Sequence, residues 1–261
     1  MRSWTEDRRI RLAVLLMPLA AFATGCVASG RKVRMEKLSG SHVAIAQKLI
    51  RQQRLQEALG QANLAIQEWK KNPDAYLVRG QVHFGIQEYA RAIEDFTTAD
   101  DLRPPFADAL TWRGWARAES GDAEGAERDW KRALEDTTFL TPEKVYLNLA
   151  LLYQQTGRTA EANENLEQAV TVNPAYSRGH FELGKARQEA GNASGAIVSY
   201  MAALGGMNDS PDLNLRLGLV LESTGEGARA REYFKRVLEL APDGNEASTA
   251  REHLSRLEKS S

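Results

Sequence analysis

The chain has 261 residues, 43% of them hydrophobic and 26% charged, which is enough apolar material for a substantial core and excludes disorder along its whole length. Its formal net charge is −1, and no stretch concentrates enough Lys and Arg to neutralise a run of phosphates, so no nucleic-acid partner is expected. A single cysteine, Cys26, and four scattered histidines leave no basis for an internal disulfide or a multi-cysteine metal site, and no cofactor or metal is expected.

Residues 1–25 have the layout of a secretion signal. Arg2, Arg8, Arg9 and Arg11 come first, and an unbroken apolar run from Leu12 to Ala23 follows. As a helix that run would span about 18 Å at 1.5 Å per residue. This falls short of the roughly 30 Å hydrocarbon core of a bilayer, so a permanent membrane span is not expected. The segment closes on Ala23, Thr24, Gly25 and Cys26, which resembles the lipobox of bacterial lipoproteins, although Ala23 stands where that family usually has leucine. The resemblance implies that Cys26 is diacylated on sulfur and becomes the first residue after cleavage, tethering the protein to a membrane. Each buried methylene of an acyl chain contributes about 0.8 kcal/mol to such an anchor. By the same resemblance, Val27 after the cysteine points to the outer membrane, with the protein facing the periplasm. Residues 26–40 hold Gly, Ser and several charges without apolar periodicity and read as a lipidated cysteine and flexible linker.

From residue 39 onward the chain repeats itself with a period near 34. Small residues recur at Ala46, Gly80, Gly114, Ala150, Gly184 and Gly218. A second small series lies at Ala58, Ala92, Ala126, Ala162, Ala196 and Ala230, and a third at Ala65, Ala99, Ala133, Ala169 and Ala203, with Val237 in the sixth copy. Antiparallel helices 8 to 10 Å apart need small side chains where their axes come closest, and such columns supply them. Bulky residues between the second and third columns, Phe96, Trp130, Leu166, Tyr200 and Phe234, fill the space beside the contact, with Ala62 as the exception. Gly121, Gly157, Gly191 and Gly225 stand where each first helix must stop and reverse. Asn72-Pro73, Thr141-Pro142 and Ser210-Pro211 mark helix starts. One interval is two residues longer, and the excess falls in 136–143 with Phe139 and Leu140: a loop insertion, or a protruding apolar contact.

This pattern resembles the tetratricopeptide repeat family over about residues 39–242, most clearly from Tyr146 to Pro174. The resemblance implies an all-α solenoid of six helix-turn-helix repeats wound as a right-handed superhelix. The repeats are expected at about 39–72, 73–106, 107–142, 143–176, 177–210 and 211–242. Residues 243–261, with Ala247, Ala250, Leu254 and Leu257 on one stripe, are expected to form a helix that caps the open end, followed by a tail.

In that family the first helices line a groove for partners. Carried over position by position, the groove holds Val43, Gln47 and Ile50; Leu77, Gln81 and Phe84; Thr111, Trp115 and Ala118; Leu147, Leu151 and Gln154; Phe181, Lys185 and Gln188; Leu215, Leu219 and Glu222. The lining is mostly apolar and lacks the Lys and Asn arrangement that clamps a C-terminal carboxylate. It suits an amphipathic helix or an extended apolar segment. The aliphatic members, Leu77 and Leu147 above all, could instead complete packing within a repeat, and Trp112 could be a core filler. Trp115 is the position most suited to recognition. No phosphate loop, nucleophile elbow or paired histidines occur, so an enzyme is the distant reading. A repeat lipoprotein of this length resembles the pilotins of type IV pilus systems, which assist secretin subunits to insert and multimerise. The alternative is a scaffold for cell-wall enzymes.

Overall fold

The computed structural model describes residues 30–259, so Cys26 and the signal region lie outside the described residues. Among the described residues there are thirteen helices and no strand. The chain divides into two compact units, residues 1–136 and 137–261. The boundary falls inside the two-residue insertion.

The first unit contains three hairpins: α1 over 30–51 with α2 (Leu55–Glu68), α3 (Pro73–Gly85) with α4 (Tyr89–Leu102), and α5 (Ala107–Glu119) with α6 (Ala123–Ala133). Residues 30–40, expected as linker, are the opening turns of α1. The stretch from Arg31 to Leu38 contains no Gly or Pro and is mostly good helix formers, so the helix propagates back from its packed turns although most of these side chains stay in solvent. Ser39 is fully buried, donating to the Ala65 carbonyl at 2.7 Å and accepting from Asn72 Nδ2 at 2.8 Å, which fixes the helix to the next two elements.

The second unit contains α7 (Pro142–Gln155) with α8 (Thr159–Val172), α9 (Ser177–Glu189) with α10 (Ala193–Met207), α11 (Pro211–Ser223) with α12 (Gly227–Leu240), and the closing helix α13 (Asn245–Lys259). Ala247 and Ala250 of α13 are buried, and Leu254 and Leu257 pack on the same cluster, as its sequence stripe requires.

Each hairpin closes by the same device. The residue after the last turn of the first helix adopts the left-handed conformation, at φ +90° for Gly121, +74° for Gly157, +75° for Gly191 and +84° for Gly225. Gln53 and Gln87 occupy the same place in the first two repeats, at φ 59° and 64°. The helix starts also differ in detail. Asn72 and Ser210 accept the expected capping hydrogen bonds from Asp74 N and Leu213 N, whereas the Thr141 side chain makes none.

The small columns are buried throughout and sit against the bulky residues of the partner helix. A Cβ placed on Gly80 would lie 2.6 Å from the Phe96 ring, and one on Gly218 would lie 2.7 Å from the Phe234 ring. Gly114 beneath Trp130 and Gly184 beneath Tyr200 are tighter still. Where the bulky residue is Leu166 or Ala62, the opposite position is alanine, Ala150 or Ala46. Helix separation is thus set by matched sizes: ring on glycine, aliphatic on alanine.

Candidate protein-interaction surface

The face carried over from the family divides into core and surface. Val43, Leu77, Leu147 and Phe181 are buried in hydrophobic clusters and serve packing within their units. Ile50, Phe84, Leu151, Leu215 and Leu219 are half-buried at the rims of those clusters. Gln81, Thr111, Ala118 and Gln188 are also half-buried, while Gln47 and Gln154 are exposed. Thr111 lends its carbonyl to Trp130 Nε1 at 3.1 Å. Glu222 is held by His253 and Arg256 of the closing helix, which therefore takes the last position of the face. Most of the half-buried residues stand one or four places after the small column, at the edge of the helix pair, neither beneath the partner helix nor fully clear of it; Thr111 and Leu215 stand three places before it.

In the first unit the aromatic positions converge. Phe84 of α3 meets Trp112 of α5 edge-on at 5.5 Å between ring centroids, and meets Trp115 edge-on at 6.5 Å. Trp112 lies stacked toward the buried Phe96 at 6.4 Å, and Tyr89 tilts onto Phe84 at 5.6 Å. Trp112 therefore anchors the group to the core, and Trp115 rests on that base with 42% of its surface in solvent. Edge-to-face pairs of this kind contribute roughly 0.5–1.5 kcal/mol beyond their burial and fix ring orientation. The product is a preformed aromatic step with an exposed indole.

The second unit presents a more polar face. Phe181 is covered by cations, with Lys185 Nζ and Arg178 Cζ each 5.7 Å from its ring centre. Lys185 also pairs with the buried Glu182 at 2.8 Å. Lys185 and Gln154 border a cleft of about 400 Å³ between α7, α8 and α9. Thr159, Asn163 and Glu189, which complete that border, were not among the expected positions. Of these only Asn163 carries a signal in the sequence, an amide at the place where three other repeats carry Leu59, Ile93 and Ile197.

At the insertion, Leu140 stands 91% exposed and Phe139 is half-buried. Among the described residues no group of His, Cys, Asp and Glu is placed to hold a metal ion, and no helix is long and apolar enough to cross a membrane.

Comparison with known proteins agrees with the repeat architecture. Two descriptions of the tetratricopeptide repeat match, one over residues 43–105 and 77–138 and the other over 143–176 and 211–243. Human tetratricopeptide repeat protein 7B is 29% identical over 136 residues, covering 52% of this chain and 16% of that protein. The human protein O-mannosyl-transferase TMTC1 is 23% identical over 217 residues, covering 79% of the chain. The chain spans only 24% of that second relative's length. Among solved structures, PilW, described as a widely conserved type IV pilus biogenesis factor, aligns with a TM-score of 0.68 at 21% identity, over 81% of this chain and 97% of its own. PilF of Pseudomonas aeruginosa aligns with a TM-score of 0.75 at 18% identity, over 83% and 98%. These likenesses are of fold. With the repeat matched in both units, and with every first helix meeting its second through one small column, the chain belongs to the tetratricopeptide repeat family.

Proposed function

We propose that this protein is a non-enzymatic scaffold, tethered to the outer membrane through acylated Cys26 and facing the periplasm. It holds an apolar segment of a partner while an envelope complex, such as the secretin of a type IV pilus system, is assembled. The observation that carries the scaffold reading is Trp115: a large, half-exposed aromatic held on the rigid base of Phe84 and Trp112, in a family whose members bind other proteins. A preordered ring loses little conformational entropy on binding, which is why such residues dominate interface energetics. The fold shared with PilW and PilF supports the assembly role, and the small-residue run ending at Cys26 supports the tether.

The test is crosslinking in membranes followed by capture of the full chain. Secretin subunits recovered with the wild type and lost with Trp115→Ala are the expected result. Recovery of cell-wall enzymes instead would replace the secretin reading with a peptidoglycan one. Trp115→Ala should weaken capture by about tenfold or more while moving the melting temperature by only about 2–4 °C. A large drop in melting temperature with capture intact would make Trp115 a packing residue and remove the main support for the surface. Cys26→Ala should leave the repeats folded and shift the protein from membrane to soluble fractions; unchanged fractionation would remove the tether.

A further inference from the structure

Within each unit, a first helix that follows another hairpin is covered on one side by the second helix of that hairpin. Five residues before and two residues after the small column, the covered side carries apolar side chains: Ala75 and Val82 in α3, Ala109 and Ala116 in α5, Leu213 and Val220 in α11, all buried. They pack against the small columns of α2, α4 and α10. No hairpin precedes α1, and there the same two places hold Ser41 and Lys48, both exposed. The last repeat is closed by α13, whereas this side of α1 faces solvent.

The open side is basic and partly apolar. Residues 30–51 contain Arg31, Lys32, Arg34, Lys37, Lys48 and Arg51 against one acid, Glu36, in a chain whose acids and bases nearly balance. Lys32 pairs with Glu36 at 3.6 Å, but the other five cations are exposed and take part in no ion pair with other described residues. At about 100° per residue, Arg34, Lys37, Leu38, Ser41, Ile45 and Lys48 share one stripe. Leu38 and Ile45 are 40% and 45% exposed on it, between the charges. Spread along the whole of α1, these cations are too sparse for the dense phosphate row of a nucleic acid. They suit the diffuse negative field of anionic phospholipid headgroups, and the aliphatics between them suit the boundary just beneath.

We propose that this side of α1 lies on an anionic phospholipid surface, with Arg34, Lys37 and Lys48 against the headgroups and Leu38 and Ile45 at the edge of the acyl region. The proposal rests on the Cys26 tether for its location. Gly30 follows Cys26 by a length of chain that spans at most about 14 Å, so an acylated Cys26 holds the basic helix beside the same membrane. An acyl anchor and a basic patch acting together hold a protein to a bilayer more firmly than either alone.

The experiment is flotation of the unacylated chain from residue 26, carrying Cys26→Ser, with vesicles of phosphatidylcholine alone or containing about 40% phosphatidylglycerol. Every described residue is retained in that chain, and without acyl groups the binding reads the helix alone. The anionic vesicles should bind the protein and the neutral ones should not, and raising the salt to about 0.5 M should release it. Each basic residue near an anionic surface contributes about fivefold to the partition, so Arg34→Glu with Lys37→Glu and Lys48→Glu should weaken binding by at least about tenfold. The three side chains are exposed and unpaired, so this variant should melt with the wild type. The same charge change at Arg128, Lys235 and Lys259, exposed on other helices, should weaken binding by less than about threefold, because charges away from the surface are screened. Equal binding to both vesicles, equal loss in the two triple variants, or no binding up to about 5 mM lipid would overturn the proposal. The tether is read separately by the fractionation of Cys26→Ala in cells, so either result stands without the other.

Discussion

The two units solve one packing problem with opposite chemistry. Immediately before the small column, the first unit places Arg79 and Arg113 and the second places Leu149, Leu183 and Leu217. Each arginine reaches across its hairpin to a buried aspartate, Arg79 to Asp95 at 2.6 Å and Arg113 to Asp129 at 2.7 Å. Burial is the largest single influence and works against the Arg113 charge, but the hydrogen bonds to Asp129 together with the attraction of Asp129, Asp100 and Asp101 outweigh it and hold the guanidinium above its ordinary pKa. One position earlier the assignment reverses: Val78 and Trp112 in the first unit, Asn148, Glu182 and Arg216 in the second. The polar stripe has moved by one residue, about 100° around the helix. Leucine serves as well as the ion pair in the same fold, so the Arg–Asp pairs are not what makes a hairpin form. What they leave open in the first unit is the adjacent stripe, which Trp112 uses to seat the aromatic step.

The largest test of this contrast removes one side of the paired charge. Asp129 accepts from both Arg113 and Arg117, so Asp129→Ala leaves two cations facing a partly closed interior. Breaking a buried pair in this way costs about 3–5 kcal/mol. All tryptophans of the chain lie before residue 137, so their fluorescence reads the unfolding of the first unit alone during urea denaturation. The double variant Arg113→Leu with Asp129→Ser reproduces Leu183 and Ser199 of the fifth repeat, where Arg187 donates to Ser199 at 2.8 Å just as Arg117 donates to Asp129. It should fall within about 1 kcal/mol of the wild type. A double variant as unstable as Asp129→Ala would show that the two solutions are not interchangeable.

Next in size is the match between ring and glycine. Gly184→Ala drives a methyl group into the Tyr200 ring and should cost about 1–3 kcal/mol by overpacking. Adding Tyr200→Leu copies the Ala150 and Leu166 pair of the preceding repeat and should recover at least half of the loss, measured by thermal melting followed by circular dichroism. Tyr200 also distinguishes the second unit in alkali. Burial pushes its hydroxyl up to about 12, against partial relief from Arg216. Ionisation is easier in the unfolded chain, near pH 10, so the contribution of Tyr200 to stability is intact below pH 10 and is lost as the pH rises toward 12. Phe96 and Trp130 hold the matching places in the first unit and do not titrate. Tyrosinate absorbance should therefore include one late component near pH 12 that Tyr200→Phe removes.

The fold was legible because its determinants are local and periodic. A small residue every 34 positions means the same thing in each copy, and the bulky residue beneath it follows from size alone. The surface was less legible, because its half-buried positions depend on which neighbour is bulky. Leu77 and Leu147 differ from Leu151 and Leu219 in burial although all carry the same side chain, since their offset from the small column decides whether the partner helix covers them. Residues 30–40 carry no apolar stripe and so read as linker, yet a helix anchored at Ser39 needs none to extend a few turns further. The cleft at Asn163 is readable only by aligning the repeats against one another and asking why one copy carries an amide where three carry aliphatics.

The smallest effect concerns the turn where sequence and conformation disagree. Gln53 and Gln87 adopt the left-handed conformation that glycine takes in the other four hairpins, and they keep the same hydrogen bonds. Glu88 N reaches the His83 carbonyl at 2.8 Å, and Asp122 N reaches that of Arg117 at 2.8 Å. The turn is therefore imposed by the packing of the two helices, and the glutamines bear a conformational cost of about 1–2 kcal/mol each. Glycine would relieve it but gives up about 0.5–1 kcal/mol through the greater freedom of the unfolded chain. Gln87→Gly should then raise the stability of the first unit by only about 0.5–1 kcal/mol, and Gly191→Gln should lower that of the second by a similar amount. If Gln87→Gly destabilised the protein instead, the Gln87 side chain would be contributing to the first unit, and the two units would differ at their turns as they do at their buried stripes.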